Sequence, residues 1–187
     1  MRRPDYTLIT VTLALLVIGI VMVFSSSYTT ARRDTGDAYY FLKRQIMWAA
    51  IGLAALSVTA RIDYRFWRRL AIPGYLAATT LLVLVLVIGD EALGARRWIS
   101  LGFVSIQPSE LAKLAVVNLL AAYIAVFRSE VRSFIYGIVV PFLPVAVSFA
   151  LILMEPDLGT GLALLGTAGL MLFGAGARLD YLFLLVL

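Results

Sequence analysis

The sequence predicts an all-α fold, a polytopic transmembrane bundle with six spans and the start of a seventh. Three observations predict it. Of 187 residues, 62% are hydrophobic and 14% charged, well above the apolar share of an ordinary soluble domain. Apolar runs recur along the whole chain at the length of about 20 residues that a bilayer crossing needs. No linker is long enough to hold a soluble domain, so residues 1–187 read as a single transmembrane domain.

The spans follow in order. Span one covers about Tyr6 to Phe24, behind the basic start Met1-Arg2-Arg3. No small-residue cleavage site closes it, so it reads as retained. Ser25 to Ala38 is expected as a loop. Span two covers about Ile46 to Ala60 and can start earlier, because Tyr39 to Leu42 give an interfacial aromatic approach while Lys43 and Arg44 snorkel. Arg61 to Leu70 reads as a basic aromatic loop. Span three covers Ala71 to Ile88, and a longer polar loop runs from Asp90 to Gln107. Span four covers Ser109 to Phe127, with a tight charged turn from Arg128 to Arg132. Span five covers Phe134 to Met154, kinked by Pro141 and Pro144. Glu155-Pro156-Asp157 breaks the chain, and span six covers Leu158 to Phe173. Tyr181 to Leu187 is apolar but too short to cross a bilayer. The sequence is therefore expected to be the front part of a longer protein, truncated at its C-terminus.

Lys and Arg set the orientation. With the N-terminus inside, nine fall on inner segments, among them Arg61, Arg65, Arg68, Arg69, Arg128 and Arg132. Six fall outside: Arg32, Arg33, Lys43, Arg44, Arg96 and Arg97. Lys113 is left within span four. The N-terminus is thus expected in the cytoplasm. The net charge of +5 reads as topology and contact with anionic membrane lipids rather than nucleic-acid binding. Cysteine and histidine are absent, which removes thiolate chemistry, disulfides and the commonest general base.

Three stretches carry candidate chemistry. Gly94 to Ile106 alternates apolar with small or polar residues around Gly102, as in a hairpin or re-entrant element anchored by Trp98 and Phe103. It presents Arg96 and Arg97, whose guanidinium forks match phosphate oxygens; plain headgroup anchoring explains them equally. Gln107-Pro108-Ser109-Glu110-Leu111-Ala112-Lys113 opens span four. Pro108 suits the first helical turn and Glu110 suits its positive end. Neither explains Lys113, about 4.5 Å deeper at helical rise and able to pair with Glu110 at i, i+3. Ionisable groups at membrane depth usually mark a site; the alternative is a structural ion pair. In Glu155 to Gly161, Asp157 is placed to cap span six, a role that suits Glu155 poorly. Two outer carboxylates, Glu155 and Asp157, next to Lys113 could bind a metal or hold a cationic cluster. Gly159 and Gly161 permit close approach, and Gly137, Gly166 and Gly169 suit helix packing.

These stretches together resemble the signature segments of the SEDS family, the RodA and FtsW proteins of bacterial elongation, division and sporulation. Gly94 to Gly102, Gln107 to Lys113 and Glu155 to Thr160 carry the resemblance, with Tyr40 to Gln45 and Gly174 to Arg178. It runs over the whole chain in order, and Asp37 to Gln45 lean towards FtsW. The resemblance implies about ten spans in the bacterial cytoplasmic membrane. It implies a peptidoglycan glycosyltransferase that polymerises lipid II into glycan strands beside a class B penicillin-binding protein transpeptidase. It places the catalytic Asp, the general base on the acceptor hydroxyl, in an outer loop beyond Leu187. The 187 residues alone are then expected to hold no catalytic residue and to be inactive. Arg96, Arg97, Glu110, Lys113 and Asp157 match family positions around the outer cavity. Arg96, Arg97 and Lys113 suit the leaving pyrophosphate, with Glu110 and Asp157 orienting Lys113 or holding a cation. A lipid II flippase and a non-catalytic scaffold of the synthesis complex are the alternatives.

Overall fold

The structure, a computed structural model, describes residues 6–92, 95–100, 105–178 and 180. It divides into two compact units, residues 1–63 and 64–187. The first holds α1 (Tyr6–Thr35) and α2 (Tyr40–Thr59), which pack on each other. Gly36 takes a φ of 74° in the turn between them, a conformation that needs no Cβ. Asp37 pairs with Lys43 at 2.8 Å. That bond and the Tyr39 N–H hold the Asp37 carboxyl below its ordinary range.

The expected loop at Ser25 to Ser27 is helix instead. The Ser26 and Ser27 hydroxyls donate to the Val23 carbonyl, and Thr35 donates to Ala31. Back-bonding of this kind satisfies a hydroxyl inside a helix, so α1 continues through Thr35. Phe24 stacks on Tyr39 across the turn at 5.7 Å.

The second unit holds α3 (Tyr64–Arg69), α4 (Ala71–Ile88), β1 (Asp90–Ala92), β2 (Ala95–Ser100), β3 (Ser105–Ile106), α5 (Pro108–Val126), α6 (Val140–Met154) and α7 (Leu158–Gly174). The basic segment expected as a loop contains the short helix α3. Its Trp67 carbonyl accepts from Asn118 Nδ2 at 2.8 Å, which pins α3 to α5.

Buried positions recur at helical spacing: Ala112, Val116 and Leu120 on α5, Val145, Ser148 and Ile152 on α6, Leu164, Ala168 and Leu172 on α7. Most of them meet Ala78 and Leu82 of α4 in one core. Small residues among these let the backbones approach, the packing that serves where lipid rather than water surrounds a bundle. Large apolar side chains cover the outside, among them Leu76, Val87, Leu114, Leu143 and Leu170. Among the described residues five helices are long and apolar enough to cross a membrane, and α7 is shorter at 17 residues. The chain is a multi-pass membrane protein.

Pro141 and Pro144 open the backbone ladder to side chains from neighbouring helices. Ile135–Val139 forms a π-helical turn before α6, and the Val140 N–H reaches back to the Ile135 carbonyl. In that register Pro141 has no N–H to offer the next carbonyl, Tyr136. Tyr123 Oη donates to it instead, at 2.7 Å. Tyr75 Oη donates to the Pro144 carbonyl at 3.0 Å. A Cβ on Gly137 would meet the Val131 carbonyl at 1.9 Å, so this glycine admits the chain's own preceding turn. One on Gly161 would meet the Phe149 ring at 2.9 Å. Gly166 and Gly169 face open space and are not packing positions among the described residues.

Between α4 and α5, β1 pairs antiparallel with β2 and β2 with β3. The hairpin expectation is met here; Gly94, Leu101 to Val104 and Tyr181 to Leu187 lie outside the described residues.

Candidate functional site

Three segments converge beside the start of α7: β2, the entrance to α5, and the α6–α7 break. Asp157 is their centre. As the N-cap of α7 its Oδ1 accepts the Thr160 N–H at 3.1 Å, and its Oδ2 accepts the Thr160 hydroxyl at 2.7 Å. The same Oδ2 accepts Gln107 Nε2 at 3.1 Å. Burial works against the Asp157 charge, but the Thr160 hydrogen bonds and the charges of Arg97 and Lys113 outweigh it, so the carboxyl titrates below its ordinary range.

Arg97 ties β2 to the break. Its Nε donates to the Glu155 carbonyl at 2.9 Å and its Nη2 to the Pro156 carbonyl. Arg96 goes the other way, its Nη1 donating to the Val87 carbonyl at 3.4 Å near the end of α4. Successive side chains on a strand leave opposite faces, so two arginines adjacent in sequence serve different partners. Lys113 and Glu110 form the expected pair at 2.8 Å, with the Lys113 side chain 28% exposed and that of Glu110 55%. That bond uses one of the three N–H donors of the ammonium.

The structure thus brings Arg97, Asp157 and the Lys113–Glu110 pair to one corner and turns Arg96 towards α4. As ligands for a divalent cation, Glu110 and Asp157 do not fit. Glu110 is bonded to an ammonium, and Asp157 is occupied by Thr160 and Gln107 beside two cations. Among the described residues no three acids cluster in metal-binding range. The corner instead offers cationic donors, steadied by carboxylates, at the head of a membrane-spanning helix. That arrangement suits an anion carried at the end of a lipid.

Two residues were missed by sequence reasoning. Gln107, which by its place only leads into α5, is a direct partner of Asp157. Glu155 is completely buried, and among the described residues neither carboxylate oxygen has a hydrogen-bond partner. Burial, reinforced by the charge of Asp157 and opposed by Arg97, pushes its carboxyl from 4.5 up to about 7. The signal was its poor fit to a capping role. Buried acids are rarely left unpaired, and Ser109 Oγ is buried and unpartnered among the described residues as well.

Comparison with known proteins gives consistent results. The family model for FtsW, RodA and SpoVE, described as cell cycle protein, matches residues 6–187. A probable peptidoglycan glycosyltransferase FtsW of Geobacter metallireducens is 40% identical over 183 residues, 97% of this chain and 49% of the relative. Stage V sporulation protein E of Bacillus subtilis is 39% identical over 180 residues, 95% of this chain and 49% of the relative. The crystal structure of the rod shape determining protein RodA of Thermus thermophilus matches with a TM-score of 0.66 at 29% identity, over 91% of this chain and 57% of that one. A chain of a peptidoglycan synthase complex matches with a TM-score of 0.77 at 31% identity, over 100% of this chain and 51% of that one. The chain spans about half the length of the curated relatives it matches.

Proposed function

The chain belongs to the FtsW, RodA and SpoVE family, and from that premise we propose that the whole protein is a peptidoglycan glycosyltransferase. It polymerises lipid II into glycan strands at the outer face of the bacterial cytoplasmic membrane, with its N-terminus in the cytoplasm. Its partner is a class B penicillin-binding protein that crosslinks the product. The relatives named as glycosyltransferases and the neighbour taken from a peptidoglycan synthase complex support this reading.

The observation that carries it is the corner around Asp157. Lys113 lies within a membrane-spanning helix, held by Glu110 and acting on Asp157. A polyprenyl pyrophosphate needs such a cation close to an apolar groove, because negative charge accumulates on the pyrophosphate as it leaves. In this reading Lys113 faces the pyrophosphate, while Arg96 is turned towards α4. Arg97 faces the pyrophosphate with the guanidinium edge that the Glu155 and Pro156 carbonyls do not use. Glu110 and Asp157 keep Lys113 in place. The acceptor hydroxyl is deprotonated by a carboxylate supplied from outside residues 1–187.

The test is glycan synthesis by the full-length protein with its transpeptidase partner, from purified lipid II in detergent without a membrane potential. Lys113→Ala and Asp157→Ala are each expected to cut strand formation at least tenfold while leaving expression intact. Undiminished synthesis in both would remove the site assignment. Absence of synthesis in the wild type, with labelled lipid II crossing between leaflets once the same protein is reconstituted into liposomes, would favour a flippase.

A further inference from the structure

A second site lies at the other ends of α5 and α7 from Asp157. A cavity of about 490 Å³ sits there, within the range of about 300 to 1,000 Å³ common for small-ligand pockets. Its walls are apolar: Ala121, Ile124 and Ala125 from α5, Met171 and Gly174 from α7, and Ala175 just past its end. Four of these six are Ala or Gly, so the volume follows from the sequence. Ala121 and Ala125 lie one turn apart on α5, and Arg128, in the turn that follows the helix, is the single charged lining residue.

Arg128 is exposed and makes no ion pair among the described residues. The acid in its turn, Glu130, acts on Tyr123, beside the Tyr123–Phe127–Tyr136 stack. Tyr123 is two residues from both Ala121 and Ala125, hence about 200° round the helix from the cavity wall. The guanidinium is exposed beside an apolar crevice, with no carboxylate within ion-pair distance among the described residues.

We propose that this cavity binds an anionic phospholipid, with the phosphate on Arg128 and an acyl chain against Ala121, Ile124, Ala125 and Met171. The charge complementarity selects the ligand. A guanidinium fork matches a phosphate, and the apolar walls favour a molecule with chains over a free anion. The site shares no residue with the corner around Asp157, so it stands apart from the polymerase reading.

Native mass spectrometry and thermal unfolding of the delipidated full-length protein test it. The probes are phosphatidylglycerol, phosphatidylcholine and glycerol phosphate. Phosphatidylglycerol should be retained in preference to phosphatidylcholine and raise Tm, while glycerol phosphate should do neither. Arg128→Gln should weaken phosphatidylglycerol retention roughly fivefold, the effect of one basic residue at an anionic surface. Arg128→Lys should keep most of the preference, and Ala125→Leu should fill the cavity and weaken both lipids. Arg132→Gln, in the same turn, should leave the preference unchanged. Equal retention by wild type and Arg128→Gln would overturn the proposal. So would a loss of the same size in Arg132→Gln, which would report diffuse surface charge, or a full Tm shift from glycerol phosphate alone. Unaltered lipid retention in Ala125→Leu would likewise overturn it, by placing the lipid elsewhere, as on a face that a partner protein uses.

Discussion

Gln107 and Asp157 lie 50 residues apart and meet through one hydrogen bond of 3.1 Å. The bond joins the residue before α5 to the residue before α7. Removing either partner should therefore loosen two helix starts at once. A net hydrogen bond contributes about 0.5 to 1.5 kcal/mol, more to a charged acceptor. Gln107→Ala should lower Tm modestly. Asp157→Ala should lower it further, because it also removes the α7 cap, which contributes about 1 kcal/mol. The double variant should lose less than the sum of the two, and thermal unfolding of all three reads that coupling.

Arg97 fixes β2 through two carbonyls, a geometry its fork can reach and an ammonium cannot. Arg97→Lys is expected to behave like Arg97→Gln rather than like wild type. Amide hydrogen exchange across residues 95–100 should accelerate at least tenfold in both, with exchange in the α5 and α6 core unchanged.

Glu155 makes stability depend on pH. The folded carboxyl holds its proton up to about 7, against 4.5 when unfolded. Between those values the folded state binds more protons, so stability falls as pH rises. The contribution is fully present below pH 4.5 and lost as pH passes 7. Tm measured from pH 4.5 to 8 should decline in the wild type, and Glu155→Gln should flatten that decline.

Two glycines of α7 make a paired test of packing. Gly161→Ala places a Cβ 2.9 Å from the Phe149 ring, whereas Gly166→Ala meets nothing within 4 Å. Overpacking of this kind costs about 1 to 3 kcal/mol. Gly166→Ala should be neutral or stabilising, since alanine favours helix by about 1 kcal/mol. Chemical or thermal unfolding in one detergent separates the two.

Much of this was legible in the sequence because membrane spans announce themselves. Ala71 to Ile88 and the Leu158 helix follow directly from apolar length, and the Lys113–Glu110 pair follows from helical spacing. Asp157 was legible as a cap because capping is local chemistry. What failed was decided by geometry that spacing does not encode. Ser25 to Ser27 looked like a loop, yet the Ser26 and Ser27 hydroxyls find a carbonyl about one turn back. Gly166 and Gly169 looked like contact positions, yet a Cβ on either meets nothing within 4 Å among the described residues. Arg96 and Arg97 looked like one cationic pair, and strand alternation gives them different partners. The Gln107–Asp157 bond and the burial of Glu155 depend on how three segments meet, which no local pattern records.

The central claim is that the corner around Asp157 and Lys113 receives the pyrophosphate end of the substrate. Site-specific photocrosslinking tests it most directly. A photoreactive residue is placed at Leu111 or, as a control, at Val126 in the full-length protein, and lipid II is added. The account predicts a lipid II adduct at 111 that Lys113→Ala abolishes, and none at 126. Equal labelling at both positions, or labelling at 111 that survives Lys113→Ala unchanged, would contradict it.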